Sequence, residues 1–102
     1  MKLDYLIDTN IFIPLINEEL TEVIPEGNLG YSIITKIELL SFSLLEKEEE
    51  NLITKYLNTL SEIPVNKIVA EKTIYLRRKY NLQVPDAIIL ATAWESESIL
   101  LS

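Results

Sequence analysis

Histidine and cysteine are both absent from the chain, so any catalysis it performs proceeds without an imidazole base or a thiolate nucleophile. The missing cysteine also excludes a disulfide scaffold and a thiolate-bound zinc, and it fits a reducing compartment. Only two glycines are present, and runs rich in Leu, Ile and Glu dominate, which argues against an all-β sandwich and for helices joined by short loops. There is no Gly-rich phosphate loop. No apolar run approaches the roughly 20 residues a membrane span needs. Asp4 and Asp8 interrupt the apolar N-terminus, which has no uninterrupted signal-peptide core. A soluble, cytoplasmic protein without membrane association is expected. Basic residues are scarce: 9 Lys and Arg face 16 Asp and Glu, a net charge of -7 that cuts against an obvious nucleic-acid binder.

What is present is a single small domain, residues 1–102, with 48% hydrophobic residues, enough for one core. Acidic charge collects at Glu18, Glu19, Glu22 and Glu26 and again at Glu46 and Glu48 to Glu50, runs that read as solvated faces. The one basic cluster is Arg77-Arg78-Lys79, with Lys72 nearby. Together with Tyr75 and Tyr80 it reads first as a solvated helix face and second as a nucleic-acid contact. Trp94 and Phe12 read as core or interface residues.

Strand and helix signals alternate along the chain. Leu3 to Ile7 is a buried strand running into a helix at Ile11 to Asn17, with Pro14 placed in its first turns. Pro25 to Asn28 is a turn, and Gly30 to Ile34 a second strand. Thr35 opens a helix to about Leu44, and Glu46 to Leu60 forms another with Leu52, Ile53, Tyr56, Leu57 and Leu60 on one stripe. Glu62 to Val65 is a brief third strand. Asn66 caps a helix whose Val69, Thr73, Leu76 and Tyr80 share a face, and Asn81 to Gln83 ends it. Pro85 suits the first position of the next helix, whose Ala87 to Trp94 stretch is apolar on every side and therefore buried. Ser98 to Leu101 begins a fourth strand. This order predicts an α/β fold with a parallel sheet, whose ligands bind beyond the carboxyl ends of the strands where strand order reverses.

Three carboxylates sit at predicted helix starts: Asp8 in Ile7-Asp8-Thr9-Asn10, Glu38 in Thr35-Lys36-Ile37-Glu38, and Asp86 after Val84-Pro85. With no histidine or cysteine, clustered carboxylates point to a hard divalent cation held by oxygen. Each also has a purely structural explanation. Asp8 is a favoured N-cap, Thr35 to Glu38 matches a capping box, and Asp86 suits the positive end of a helix dipole. Capping accepts Ser, Thr or Asn equally, so it leaves three carboxylates unexplained. Asp8-Thr9-Asn10 lacks the second aspartate two residues on that a haloacid-dehalogenase-type phosphatase would show.

Asp-Thr-Asn after an N-terminal apolar strand, Ser32-x-x-Thr35-x-x-Glu38-Leu39 opening a helix, and Pro85-Asp86-Ala87-Ile88-Ile89-Leu90-Ala91-Thr92-Ala93 occur in an order and spacing that resembles the PIN domain, and most closely the VapC-like toxins of type II toxin–antitoxin systems. The resemblance spans essentially the whole chain. It implies a three-layer α/β/α sandwich around a short parallel sheet and an endoribonuclease that hydrolyses RNA phosphodiester bonds with Mg²⁺ or Mn²⁺. It also implies a cognate antitoxin protein that blocks the site, and homodimers. Carried over by position, Asp8, Glu38 and Asp86 match metal-binding catalytic acids, and Asn10 and Thr35 match supporting positions. The pattern departs at the C-terminus. Family members continue into a Thr-Asn-Asp-like turn, a fourth acid and a last edge strand, and Ser102 stands where that turn begins. The expectation is a weakened cation site and an exposed edge at Ile99 to Leu101. A PIN-like domain with impaired or no catalysis, acting as a binding or structural module, is the alternative. A flap-type nuclease on structured DNA is a third reading, but it would bring more acids and basic insertions.

Overall fold

Leu6 and Ile7, adjacent in a strand, point to opposite faces of the sheet, and both are fully buried, so that strand must be covered by helices on each side. The computed structural model describes residues 2–16 and 25–102, with the backbone alone at 14–16. The elements are β1 (Tyr5–Ile7), α1 (Thr9–Ile16), β2 (Leu29–Ser32), α2 (Ile33–Leu40), α3 (Lys47–Leu57), β3 (Ser61–Ile63), α4 (Lys67–Tyr80), α5 (Val84–Glu95) and β4 (Ile99–Leu101). The acidic stretch at Glu18, Glu19 and Glu22 lies outside the described residues. Among the described residues no helix is long and apolar enough to cross a membrane.

The four strands are parallel in the order β3-β2-β1-β4. The chain therefore moves outward from β1 to β3 and returns to pair β4 on the far side of β1. That reversal places the end of β1 at the topological switch point. On one face Ile7 and Tyr31 pack with Phe12, Leu39, Ile53 and Leu57 from α1, α2 and α3. Phe12 meets Tyr31 and Tyr56 edge-to-face at 6.0 and 5.9 Å. On the other face Leu3, Leu6 and Ile63 pack with Ile89 and Ala93 of α5. Helix α4 packs against α5 through Val69, Leu76 and Ala91. The expected α/β/α layering and parallel sheet are both observed.

Local rules account for the helix ends. Asn66 caps α4 by accepting a hydrogen bond from the Val69 N–H at 2.9 Å, as its sequence position implies. Asn81 ends α4 in the left-handed region, φ 55°, donating its N–H to Arg77. The Glu46 N–H donates to Glu49 Oε1 at 3.1 Å at the start of α3. Two helix starts and the burial of one helix differ notably from the sequence expectation. Helix α1 opens at Thr9, so Pro14 falls at its sixth residue instead of its first turn. Helix α2 opens at Ile33 because Ser32, buried at the end of β2, takes the cap and accepts from the Ile34 N–H at 3.2 Å. Helix α5 is not buried all round: Ala87, Ile89, Ala91, Thr92 and Ala93 are buried, while Leu90 and Trp94 are exposed. The sheet covers one side of α5 and α4 another, leaving a third side open.

Among the described residues strand β4 forms one edge of this sheet, with Ile99 exposed and Leu100 and Leu101 half-buried. At the other edge, Glu62 of β3 accepts a hydrogen bond from the Tyr31 hydroxyl at 3.1 Å and pairs with Lys36 at 3.4 Å. Burial, reinforced by the charge and hydrogen bond of Glu62, pushes the Tyr31 phenol up to about 12. Gly30 has a packing reason to be glycine: a Cβ there would lie 2.5 Å from Leu3 Cδ1 and 2.8 Å from the Ser61 carbonyl oxygen.

Gly30→Ala is expected to lower stability by about 1–3 kcal/mol, the usual range for overpacking, read as a shift of the urea midpoint. Tyr31 gives a pH signature. Its proton is held more tightly in the folded chain, so its contribution is intact below about pH 10 and is lost between about pH 10 and 12. Between pH 9 and pH 11 Tyr31→Phe should flatten that alkaline loss by roughly 1 kcal/mol, since that window spans about one unit of the shift and one pKa unit is about 1.4 kcal/mol. Urea melts at pH 9 and pH 11 on both chains measure it.

Candidate active site

The chain leaves β1 and enters α1 without a loop, and Asp8 is the residue between them. Its N–H donates to the Leu101 carbonyl at 2.9 Å, continuing the β1–β4 ladder, while its own carbonyl accepts from the Ile11 N–H at 3.0 Å. Asp8 thus stands at the cap position, half-buried. Its carboxylate accepts no hydrogen bond among the described residues, so capping leaves both oxygens available.

Glu38 is placed from a second element. The capping box expected for Thr35 and Glu38 does not form, because α2 begins two residues earlier on Ser32. Thr35 is instead fully buried in the first turn, and Glu38 lies one turn on, exposed. The Glu38 carboxylate reaches across to α1: Thr9 Oγ1 donates to Glu38 Oε1 at 2.9 Å, and it lies 3.0 Å from Thr35 Oγ1. A hydroxyl carries one proton, so when Thr9 gives its own to the carboxylate, Thr35 supplies the proton of the second bond. This relay ties the residue after Asp8 to the acid of the second motif. The resemblance implies supporting roles for Asn10 and Thr35 and none for Thr9, although Thr9 stands in the same Asp-Thr-Asn motif. Asn10 is exposed and makes no side-chain hydrogen bond among the described residues.

Asp86 lies exposed in the first turn of α5, after Pro85. The far end of α5 is tied to the starts of the strands, since Ser96 accepts from the Leu3 N–H and β4 follows at once. Helix α5 therefore runs opposite to the sheet, and its first turn lies toward the carboxyl ends of the strands, where Asp8 emerges. The elements that carry the three acids open at one end of the sheet, and of the three only Glu38 makes a side-chain hydrogen bond among the described residues, to Thr9, the residue after Asp8. Among the described residues no group of three or more acids is close enough to hold a metal ion. The side chains there offer oxygen donors only, carboxylates with neighbouring hydroxyls. Such donors fit a hard cation such as Mg²⁺, which takes one or two carboxylates and keeps several waters. Beside Glu38 opens a groove of about 410 Å³ lined by Ile13, Phe42, Leu45 and Leu52.

The PIN domain family model matches residues 5–102, and the chain belongs to that family, whose members are in general nucleases. No curated protein matches the chain in sequence. Among solved structures, a toxin–antitoxin complex from Klebsiella pneumoniae is 31% identical, covering 97% of this chain and 85% of that one, with a TM-score of 0.80. VapBC2 from Rickettsia felis bound to a promoter DNA fragment is 18% identical, covering 96% and 85%, with a TM-score of 0.82. DNA-bound VapBC from Salmonella typhimurium is 17% identical, covering 96% and 84%, with a TM-score of 0.81. The last two share the fold.

The Thr9–Thr35 bond is open to a double-mutant test. Thr9→Val leaves the buried Thr35 hydroxyl without its partner and is expected to cost about 1–2 kcal/mol. Adding Thr35→Val removes the orphaned group and should recover most of that loss in thermal or urea unfolding.

Proposed function

We propose that the chain is a metal-dependent endoribonuclease, the toxin of a type II toxin–antitoxin pair acting in the cytoplasm on RNA phosphodiester bonds. The observation that supports this reading is the Thr9–Glu38 hydrogen bond, which ties Glu38 to the residue that follows Asp8 at the switch point of the sheet, in a chain with no histidine or cysteine. In this reading Asp8, Glu38 and Asp86 are the metal-binding catalytic acids, and the ion is Mg²⁺ or Mn²⁺. When bound, a divalent cation acidifies water and neutralises charge that builds on the phosphate. The chain's own residues do the positioning. Thr9 fixes one Glu38 oxygen by donating to it, Thr35 holds Thr9, and the Asp8 carboxylate accepts no hydrogen bond among the described residues on a backbone pinned to β4.

Support for the toxin assignment comes from the 31% identical toxin–antitoxin complex and from the apolar groove beside Glu38. Ile13, Phe42 and Leu52 are exposed there, so an antitoxin segment with an apolar face seated on them would cover the acids. A second reading, a PIN-like binding or structural module with impaired or no catalysis, is favoured by the absence of a three-acid metal cluster among the described residues.

The deciding assay is cleavage of single-stranded RNA with added Mn²⁺, comparing the chain with Asp8→Asn. Cleavage should vanish with EDTA and fall at least a hundredfold in Asp8→Asn. Cleavage that persists unchanged in the variant sinks the nuclease reading, and no cleavage by the parent chain selects the binding-module reading.

A further inference from the structure

Helix α4 inverts the charge of the molecule. It holds five of the chain's nine basic residues (Lys67, Lys72, Arg77, Arg78 and Lys79) and one acid, Glu71, on a chain of net charge -7. The last-turn cations are favourable to the helix dipole, but the dipole asks nothing of the aromatic residues among them. Three exposed rings interleave with two lysines in a continuous stripe. Lys72 Nζ lies 4.6 Å from the Trp94 ring centre, and Trp94 meets Tyr75 edge-on at 5.8 Å. Lys79 Nζ lies between Tyr75 and Tyr80, 5.7 and 5.6 Å from their ring centres. Trp94, Tyr75 and Tyr80 are 48%, 50% and 56% exposed, a heavy loss of apolar burial for one face of a small domain. Lys72 is paired with Glu95 at 2.6 Å, whereas Arg78 and Lys79 have no acidic partner among the described residues.

We infer that this stripe on α4 and α5 is a binding track for single-stranded RNA, with bases on Trp94, Tyr75 and Tyr80 and phosphates on Arg78 and Lys79. Flat π faces alternating with cations match a flexible single strand, since any base stacks on an aromatic ring and the backbone charge follows beside it. An acidic peptide would satisfy the cations and leave the rings exposed. Residues 81–83 join the Lys79–Tyr80 end of the stripe to the first turn of α5, which carries Asp86. A strand lying on the stripe is thereby led toward the acids. The track rests on the ribonuclease reading and deepens it by naming how a strongly acidic chain gains purchase on a polyanion.

Trp94 is the only tryptophan, so its fluorescence reports on the stripe alone. A twelve-nucleotide single-stranded RNA of mixed sequence, titrated into the Asp8→Asn chain, should quench that emission, with an affinity that falls steeply with salt. Arg78→Ala with Lys79→Ala should weaken binding about tenfold and reduce the salt slope by about 0.7 for each phosphate no longer neutralised. Tyr75→Ala should weaken binding about tenfold with the slope unchanged. Lys47→Ala with Lys55→Ala, a charge-matched change on α3, should bind within about twofold of the parent. Circular dichroism confirms folding of each variant, and the substituted side chains are all exposed. The proposal is overturned if Trp94 does not respond, if the α4 variants bind like the parent, or if poly-glutamate quenches at the same concentration. Cleavage separates the two readings. If the parent cleaves RNA and the Arg78, Lys79 and Tyr75 variants cleave at its rate, the nuclease stands and the track falls. If Trp94 responds and no chain cleaves, the track stands and the nuclease falls.

Discussion

The central strand is buried on both faces, and that constraint organises the rest of the molecule. Leu6 and Ile7 point in opposite directions and neither is exposed, so β1 is stable only with α5 on one side and α1 to α3 on the other. The next residue is Asp8, whose N–H still belongs to the β1–β4 ladder. Its carboxylate therefore emerges from the most rigid part of the fold, at the one place where neighbouring strands lead in opposite directions along the sheet. A site built there inherits the precision of the core without being part of it.

Around that point the structure solves a chemical shortage. A chain with no histidine and no cysteine has carboxylates, hydroxyls and amides to work with. Two threonine hydroxyls, one fully buried, set the orientation of Glu38 relative to the Asp8 backbone. Such an arrangement suits an ion that prefers oxygen and brings its own waters. The net negative charge of the chain is segregated: α4 concentrates the cations on one outer helix, while the first turn of α3 is acidic.

Much of this was legible in the sequence for local reasons. The alternation of apolar strands and helices specified a parallel α/β fold, and Asn66 and Asn81 marked the ends of α4 through rules that involve only neighbouring residues. Errors arose where a local signal had a tertiary competitor. Thr35 to Glu38 reads as a capping box, yet Ser32, fixed by the end of β2, caps the helix first and frees Glu38 to reach Thr9. The apolar run of α5 reads as buried all round, yet the sheet and α4 cover only part of its circumference and leave Trp94 outside.

What the amino-acid sequence by itself determined was the chemistry available and the family order of its motifs: oxygen ligands only, three acids, one basic helix. Helix periods, caps and composition act over a few residues, and they survive translation from sequence to structure. Only the tertiary structure decided that Thr9 and not Asn10 bonds Glu38, that Asp86 sits on a helix covering the opposite face of the sheet, and that Trp94, Tyr75, Lys79 and Tyr80 form one stripe. Those contacts join residues from separate elements, and their distances are set by how helices pack on the sheet, which no local pattern encodes.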